Sequence, residues 1–400
     1  MNKINYIVFT KVTTSILIFF LLTDFFLGKK IFNFIESLNE KNAKKMEMHN
    51  RQQNIGAESK KLHHVYKKYL QKGLFWGDIK YTFCTDEHGF RSNCKNKSKS
   101  EIQNKKFDVG IIGDSFTEGM GVDYENTFAG IVARKLPNKR IANLGVASHS
   151  PSLYYLRLNE LIEANYTFNE IFVYVDISDI QDEAIRYKLD ETEKKILIQN
   201  SDEEFAKLAF NLETKKKFIN EPKKQTVNEP NKQTVNEKIK YSFKEKLILN
   251  LPISYYFFYT PLKNKISGKN FFDRNTFRAN WTYSTNNDGY GENGIEKGIK
   301  NSIRSMKLLS DLLKKNNIKF TIAVYPWPHQ LLYDQVNSRQ VNVWKNFCKT
   351  KCDNFINHFP DFFEIYKKDK KNIKKLYFKR DWHFNKMGHK LIAKRLLENM

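Results

Sequence analysis

From residue 107 onward, short apolar runs alternate with longer segments whose apolar residues recur at helical spacing. The apolar run 109–112 precedes a helical pattern over 126–136, and a short apolar strand at 141–144 precedes a helical pattern over 152–164. A further strand is predicted at 171–175. Strands that alternate with helices over such intervals are typical of βαβ units. The pattern therefore predicts an α/β fold with a parallel sheet.

The alternation is interrupted by a long insertion over about 188–294. It contains a tandem polar octapeptide at 220–235, for which we predict a disordered loop. The aromatic stretch 253–259 that follows is either a lid over the site or an ordinary buried helix. A helix over 295–315 and a strand over 318–324 then resume the α/β pattern.

Several residues capable of chemistry come directly after predicted strands. Ser115, Gly145 and Ser178 each follow a strand, and the run 325–329 follows the strand at 318–324. Parallel sheets place functional groups at the carboxyl ends of their strands. We therefore expect these residues to meet at one edge of the sheet.

The chemistry that they indicate is that of a serine nucleophile. A serine hydroxyl becomes reactive when an imidazole takes its proton and a carboxylate orients that imidazole. Ser115 lies on a predicted strand-to-helix turn, and Asp381 and His383 lie two residues apart near the end of the sequence. Ser115 alone would read as a helix N-cap, and Asp114 is interpreted as structural.

The motifs resemble those of the SGNH (GDSL-type) hydrolase superfamily. Gly-Asp-Ser-Phe-Thr-Glu-Gly at 113–119 resembles its first sequence block, and Asn-Leu-Gly-Val at 143–146 resembles its second. Asp-Trp-His-Phe-Asn at 381–385 resembles the last block, with the Asp-x-His spacing of the polysaccharide O-acetyltransferase and acetylesterase subgroup. The resemblance implies a flavodoxin-like three-layer sandwich, and an oxyanion held by the backbone amides of Ser115 and Gly145.

The third block departs from the family pattern. Ser178 stands where members carry an Asn, so only a hydroxyl is offered as the third oxyanion donor. Loss of one such donor can cost about 3 kcal/mol of transition-state stabilisation. A noncatalytic glycan-binding or assembly protein on the same fold therefore stays an alternative. Trp327 and His329 are candidates to line an acyl or sugar pocket, and the alternative is that His329 is an incidental histidine. No metal and no cofactor are predicted, since Asp176 and Asp179 have no nearby histidine in the sequence.

An apolar stretch of suitable length for a membrane span lies near the start of the sequence. It covers residues 6–28 and is interrupted by Lys11 and Asp24. A cleaved signal peptide is the rival interpretation, but no small-x-small cleavage site follows the stretch. We predict a membrane anchor at 1–28, a polar stem with a cysteine loop at 29–105, and a catalytic domain at 106–400.

The cysteines indicate the compartment. They form two close pairs, Cys84 with Cys94 and Cys348 with Cys352, and no odd cysteine is left over. Such pairs favour disulfides in an oxidising compartment, whereas a zinc site would favour Cys-x2-Cys spacing. Together with the anchor, they predict a single-pass protein of the bacterial inner membrane whose catalytic domain lies in the periplasm.

The formal charge of +24 comes from 68 basic and 44 acidic residues. A large positive charge can indicate nucleic acid or an anionic membrane surface, but here the lysines are spread along the whole chain, without a nucleic-acid-binding motif. Nucleic acid is therefore not a predicted partner. The predicted function is serine-dependent hydrolysis or transfer of an acyl ester. The predicted substrate is an O-acetyl group on a surface polysaccharide or a small ester.

Overall fold

A computed structural model describes residues 55–76, 79–94, 104–200, 205, 277–285, 289–292, 294–379 and 381–400, together with scattered residues between 12 and 30. The chain divides into two compact units. The first comprises 1–50 and 220–271, and the second comprises 51–219 and 272–400. All elements below belong to the second unit. The predicted repeat at 220–235 and the aromatic stretch at 253–259 lie outside the described residues.

The strands of the described residues are β1 (Gly56–Ser59), β2 (His63–Tyr66), β3 (Gln71–Trp76), β4 (Ile79–Cys84), β5 (Lys106–Gly113), β6 (Ile141–Asn143), β7 (Thr167–Val175), β8 (Tyr187–Leu189), β9 (Ile196–Ile198), β10 (Lys319–Val324) and β11 (Asn354–Asn357). The helices are α1 (Ser115–Glu118), α2 (Phe128–Lys135), α3 (Pro151–Glu163), α4 (Asp179–Ile185), α5 (Phe277–Asn280), α6 (Gly294–Lys315), α7 (Pro328–Tyr333), α8 (Arg339–Lys351), α9 (Phe359–Lys368), α10 (Ile373–Leu376) and α11 (Lys386–Leu397).

The central sheet contains five parallel strands in the order β11, β10, β7, β5, β6. Residues 171–175 of β7 are all fully buried, which explains why this strand is a continuous apolar run. Gly113 pairs with Tyr174, and Val175 pairs with Val324. The carboxyl ends of β5, β7 and β10 therefore lie level at one edge of the sheet. The predicted α/β fold with a parallel sheet is confirmed.

Helices flank this sheet. The long helix α6 packs against α3 and α4, and α11 packs against α2. The sequence predicted α6 and β10 to within a residue or two of their observed bounds, because both carry a strong apolar pattern. It did not predict α7 to α10 or β11, which are short or contain many charged residues.

Residues 55–94 do not form a separate stem. They make two antiparallel hairpins, β1–β2 and β3–β4. Tyr66, Tyr81 and Phe83 of these hairpins bury their side chains in one cluster with Val146, which follows β6. This burial joins the hairpins to the sheet, and the boundary predicted at residue 105 does not separate two structural units.

Both predicted cysteine pairs are bonded. The Cα atoms of Cys84 and Cys94 lie 5.3 Å apart, and those of Cys348 and Cys352 lie 4.7 Å apart. The first bond ties the end of β4 to the loop that follows it, and the second closes the last turn of α8.

The predicted anchor at 1–28 falls mostly outside the described residues. Among the residues that are described, none of the helices combines the length and the apolar character that crossing a membrane requires.

Candidate active site

Ser115 lies at a tight turn between β5 and α1. The Asp114 carboxylate caps α1 by accepting a hydrogen bond from the Phe116 amide at 2.9 Å. A Cβ atom on Gly113 would lie 2.2 Å from Thr117 Oγ1 and 2.8 Å from the Tyr174 carbonyl oxygen, so the turn can close only around glycine. The turn therefore holds the Ser115 hydroxyl at the carboxyl edge of the sheet.

Asp381 and His383 lie on a loop that closes on itself between α10 and α11. The Phe378 amide donates to the His383 carbonyl at 3.0 Å, and the Asn385 amide donates to the Leu376 carbonyl at 3.1 Å. The Asn385 side chain then caps α11 by accepting from the amides of the first turn. These bonds fix the backbone on both sides of His383.

The structure brings the three predicted catalytic side chains together in one chain of hydrogen bonds. Ser115 Oγ lies 2.9 Å from His383 Nε2, and His383 Nδ1 lies 2.6 Å from Asp381 Oδ1. Nucleophile, base and orienting carboxylate are thus within the distances that a serine triad requires. Ser115 lies 268 residues before His383 in the sequence, so their meeting depends on the fold. Their catalytic role stays a prediction.

The Asp381 carboxylate is ionised in this arrangement. Burial alone would raise its pKa, but the charge of His383 and the hydrogen bonds that His383 donates outweigh burial, so the pKa of Asp381 lies below its ordinary value. An ionised Asp381 holds the proton of His383 on Nδ1, which leaves Nε2 as the acceptor that faces Ser115.

A second carboxyl group, that of Asp114, also lies near the nucleophile. Its Oδ2 is 3.2 Å from Ser115 Oγ. Burial, and next the charge of Asp176, raise the pKa of Asp114 well above its ordinary value. Asp114 already accepts from the Phe116 amide, and His383 Nε2 lies nearer to Ser115 Oγ, at 2.9 Å, so His383 is the better placed base for Ser115.

Asp176 and Asp179 hold the loop after β7 together. Asp176 Oδ1 accepts from the Ser178 amide at 2.8 Å, and Asp179 Oδ2 accepts from the Asp176 amide at 3.1 Å. In the described part of the chain, no three His, Cys, Asp or Glu side chains are grouped as a metal ion would require.

The predicted oxyanion role of Gly145 stays a prediction, and in this structure its amide has another partner. Its amide donates to the Asn143 side-chain oxygen at 3.0 Å, so its proton is already engaged within its own turn. A Cβ atom at Gly145 would lie 2.4 Å from the Glu118 amide nitrogen, so this position requires glycine for close packing against α1. The roles of the Ser115 amide and the Ser178 hydroxyl as oxyanion donors stay predictions.

The predicted pocket residues Trp327 and His329 are both buried, at 2% exposure each. Trp327 Nε1 donates to Asp176 Oδ2 at 2.6 Å. The ring of Trp382, which is only partly buried, stacks parallel on Trp327 with 5.2 Å between centroids. Trp382 is therefore the most exposed of these three rings, and it lies beside His383 with 6.1 Å between ring centroids.

Sequence reasoning also missed Trp76, the last residue of β3. Its ring meets the His383 ring edge-on, with 5.1 Å between centroids. Trp76 lies in the segment that the sequence assigned to a stem, and no local pattern marks it as part of a site.

Comparison with known proteins gives few relatives. No protein-family model matches the sequence, and no curated protein sequence matches it. Similar solved structures include a catalytic mutant of Axe2, an acetylxylan esterase from Geobacillus stearothermophilus, with 11% identity over 73% of this chain and 93% of that chain, at a TM-score of 0.37. A second Axe2 mutant, described as an acetyl-xylooligosaccharide esterase, gives 12% identity, the same coverage and the same TM-score. At such scores the likeness decides neither fold nor function.

Proposed function

We propose that this protein is a serine-dependent enzyme that hydrolyses or transfers an acyl ester through an acyl-enzyme. The observation that carries the proposal is one continuous series of hydrogen bonds. Ser115 Oγ lies 2.9 Å from His383 Nε2, and His383 Nδ1 lies 2.6 Å from Asp381 Oδ1. A surface or cap role for Ser115 would not require a buried imidazole at its hydroxyl.

The reaction follows from this geometry. Ser115 Oγ attacks the ester carbonyl carbon while His383 Nε2 takes the hydroxyl proton, and Asp381 stabilises the imidazolium that forms. The C–O bond to the alcohol then breaks, and the alcohol leaves with the proton from His383. Water completes a hydrolysis, and a sugar hydroxyl completes a transfer, in each case by attack on the acyl-enzyme with His383 as base.

We propose an O-acetyl group on a cell-surface glycan as the substrate. The partly exposed ring of Trp382 supports this choice, because a flat ring beside His383 can stack against the apolar C–H face of a sugar. A small ester is the simpler substrate that the same site would accept.

The proposed location is the periplasmic side of the bacterial inner membrane, with residues 1–28 as anchor. The two disulfides support it, since such bonds persist in oxidising compartments.

Labelling with a fluorophosphonate tests the proposal. The wild-type protein should react at Ser115, and Ser115→Ala should not. Hydrolysis of a small acetyl ester should fall by about 10⁴-fold or more in Ser115→Ala, while a thermal melt shows an intact fold. A matched control is Ser92→Ala, a partly buried serine outside the triad.

An unlabelled, folded wild-type protein would favour the rival, a noncatalytic glycan-binding protein on the same fold. If labelling succeeds, product analysis with and without a sugar acceptor separates an esterase from an acyltransferase.

A further inference from the structure

The ring of Phe116, the residue after the nucleophile, packs on the imidazole of His383. The two ring centroids lie 4.8 Å apart, and the ring planes differ by 31°, so the rings face each other more than they meet edge to face. The Phe116 side chain is 1% exposed and His383 is 5% exposed. Because both rings are buried, little water can screen an electrostatic interaction between them.

Such a contact favours positive charge on the imidazole. The quadrupole of an aromatic ring makes its face negative and its edge positive, and a cation within about 6 Å of the ring centroid is attracted to that face. In the proposed reaction, His383 takes the proton of Ser115 and becomes an imidazolium. The attraction to Phe116 therefore strengthens as the charge develops, and interactions that strengthen in the transition state are those that raise kcat.

Two further rings hold Phe116 in place. Tyr325 and Trp327 follow β10, and their centroids lie 5.0 and 5.8 Å from that of Phe116. The Tyr325 hydroxyl donates to Asp176 Oδ2 at 2.9 Å, and Trp327 Nε1 donates to the same oxygen at 2.6 Å. Asp176 is 1% exposed, so both rings are fixed by one buried acceptor. These rings in turn restrict the movement of Phe116 beside His383.

We propose that Phe116 is a positioning residue whose ring orients the His383 imidazole and stabilises its imidazolium form. The inference rests on the proposed function. Phe116 exchanges no proton, and it acts only through His383. Loss of the attraction should lower kcat about 5- to 30-fold, as expected for a desolvated cation–π interaction of about 1 to 2 kcal/mol. KM should change less than about threefold, since the interaction strengthens only in the transition state.

Fluorinated phenylalanines at position 116 separate the charge of the ring face from its shape. Fluorine withdraws electron density from the face, so the attraction for a cation weakens stepwise in singly, doubly and triply fluorinated phenylalanine, while the ring stays apolar and aromatic. Phe116→Leu removes the aromatic face altogether. The matched control is the same fluorinated series at Phe168, which is 4% exposed near the start of β7 and stacks on Phe107 with 5.7 Å between centroids.

The measurements are kcat and KM for a small acetyl ester and the thermal midpoint of each protein. We expect log kcat to fall with each added fluorine at position 116 while the midpoint stays nearly unchanged. Phe116→Leu should show the full loss of kcat. The Phe168 series should keep the wild-type kcat. If Phe116→Leu does not fold, the fluorinated series alone decides, since it preserves packing.

Labelling with fluorophosphonate distinguishes failure of this inference from failure of the proposed function. A protein that is labelled at Ser115, and whose kcat stays constant across the Phe116 series, would overturn the inference and leave the proposed function intact. An equal fall of kcat in the Phe168 series would also overturn it, because the effect would then not depend on the contact with His383. A folded wild-type protein that resists the label would refute the proposed function and the inference together.

Discussion

Glu183 should make the stability of the protein depend on pH in a defined way. This residue of α4 is 1% exposed, and no part of the proposed reaction uses it. Its Oε1 accepts from Ser150 Oγ at 2.6 Å and from the Ser152 amide at 2.7 Å, and its Oε2 accepts from Ser152 Oγ at 2.5 Å. The side chain therefore holds the first turn of α3 against α4.

Burial raises the pKa of Glu183 from 4.5 to about 7, although its hydrogen bonds act in the opposite direction. The folded protein thus binds this proton more tightly than the unfolded chain does. The resulting stabilisation is complete below pH 4.5 and is lost as the pH rises through about 7. Because a tenfold change in proton affinity corresponds to about 1.4 kcal/mol, the loss is about 3 kcal/mol.

Glu183→Gln removes the titration and keeps the size and the carbonyl acceptor. We expect the free energy of unfolding of this variant, relative to wild type, to increase by about 3 kcal/mol between pH 4.5 and pH 8. Urea unfolding at several pH values measures this difference. The exposed Glu292 gives a matched control, and Glu292→Gln should follow the wild type at every pH. A difference between Glu183→Gln and wild type that does not vary with pH would refute the reasoning.

Two further predictions concern the loop after β6 and the cysteines. Gly145→Ala should lower the free energy of unfolding by about 1–3 kcal/mol, because the added Cβ meets the Glu118 amide nitrogen at 2.4 Å; an unchanged urea midpoint would show that the loop can move aside. Protein taken from its native compartment should contain both disulfides, so its unreduced mass should be lower by about four hydrogens, two per bridge. Free thiols at all four positions would contradict an oxidising location.

Much of the fold and part of the candidate site could be predicted from local pattern. The continuous apolar run of β7 and the helical apolar spacing of α6 both result from burial, so both elements can be recognised in the sequence. Ser115 could be predicted because a tight strand-to-helix turn needs glycine at 113 and a capping side chain at 114. Asp381 and His383 could be proposed because their spacing is short and repeats a known motif.

Other parts of the site were decided by tertiary contacts. Gly145 was assigned to the oxyanion from its motif, yet its amide bonds to Asn143. Trp327 was predicted to line a pocket, yet its side chain is buried and the ring of Trp382 stacks on it. Whether an amide proton or an aromatic face is available depends on what packs against it.

Trp76 is the clearest case. As a residue of β3 it follows no motif, and it reaches the His383 ring only because Tyr66, Tyr81 and Phe83 bury the two hairpins against the sheet. Sequence alone determined which residues could do chemistry and which segments form strands and helices, since both follow from short-range rules. Only the tertiary structure decided which distant residues support that chemistry, because contacts between remote segments depend on shape and burial that no local spacing records.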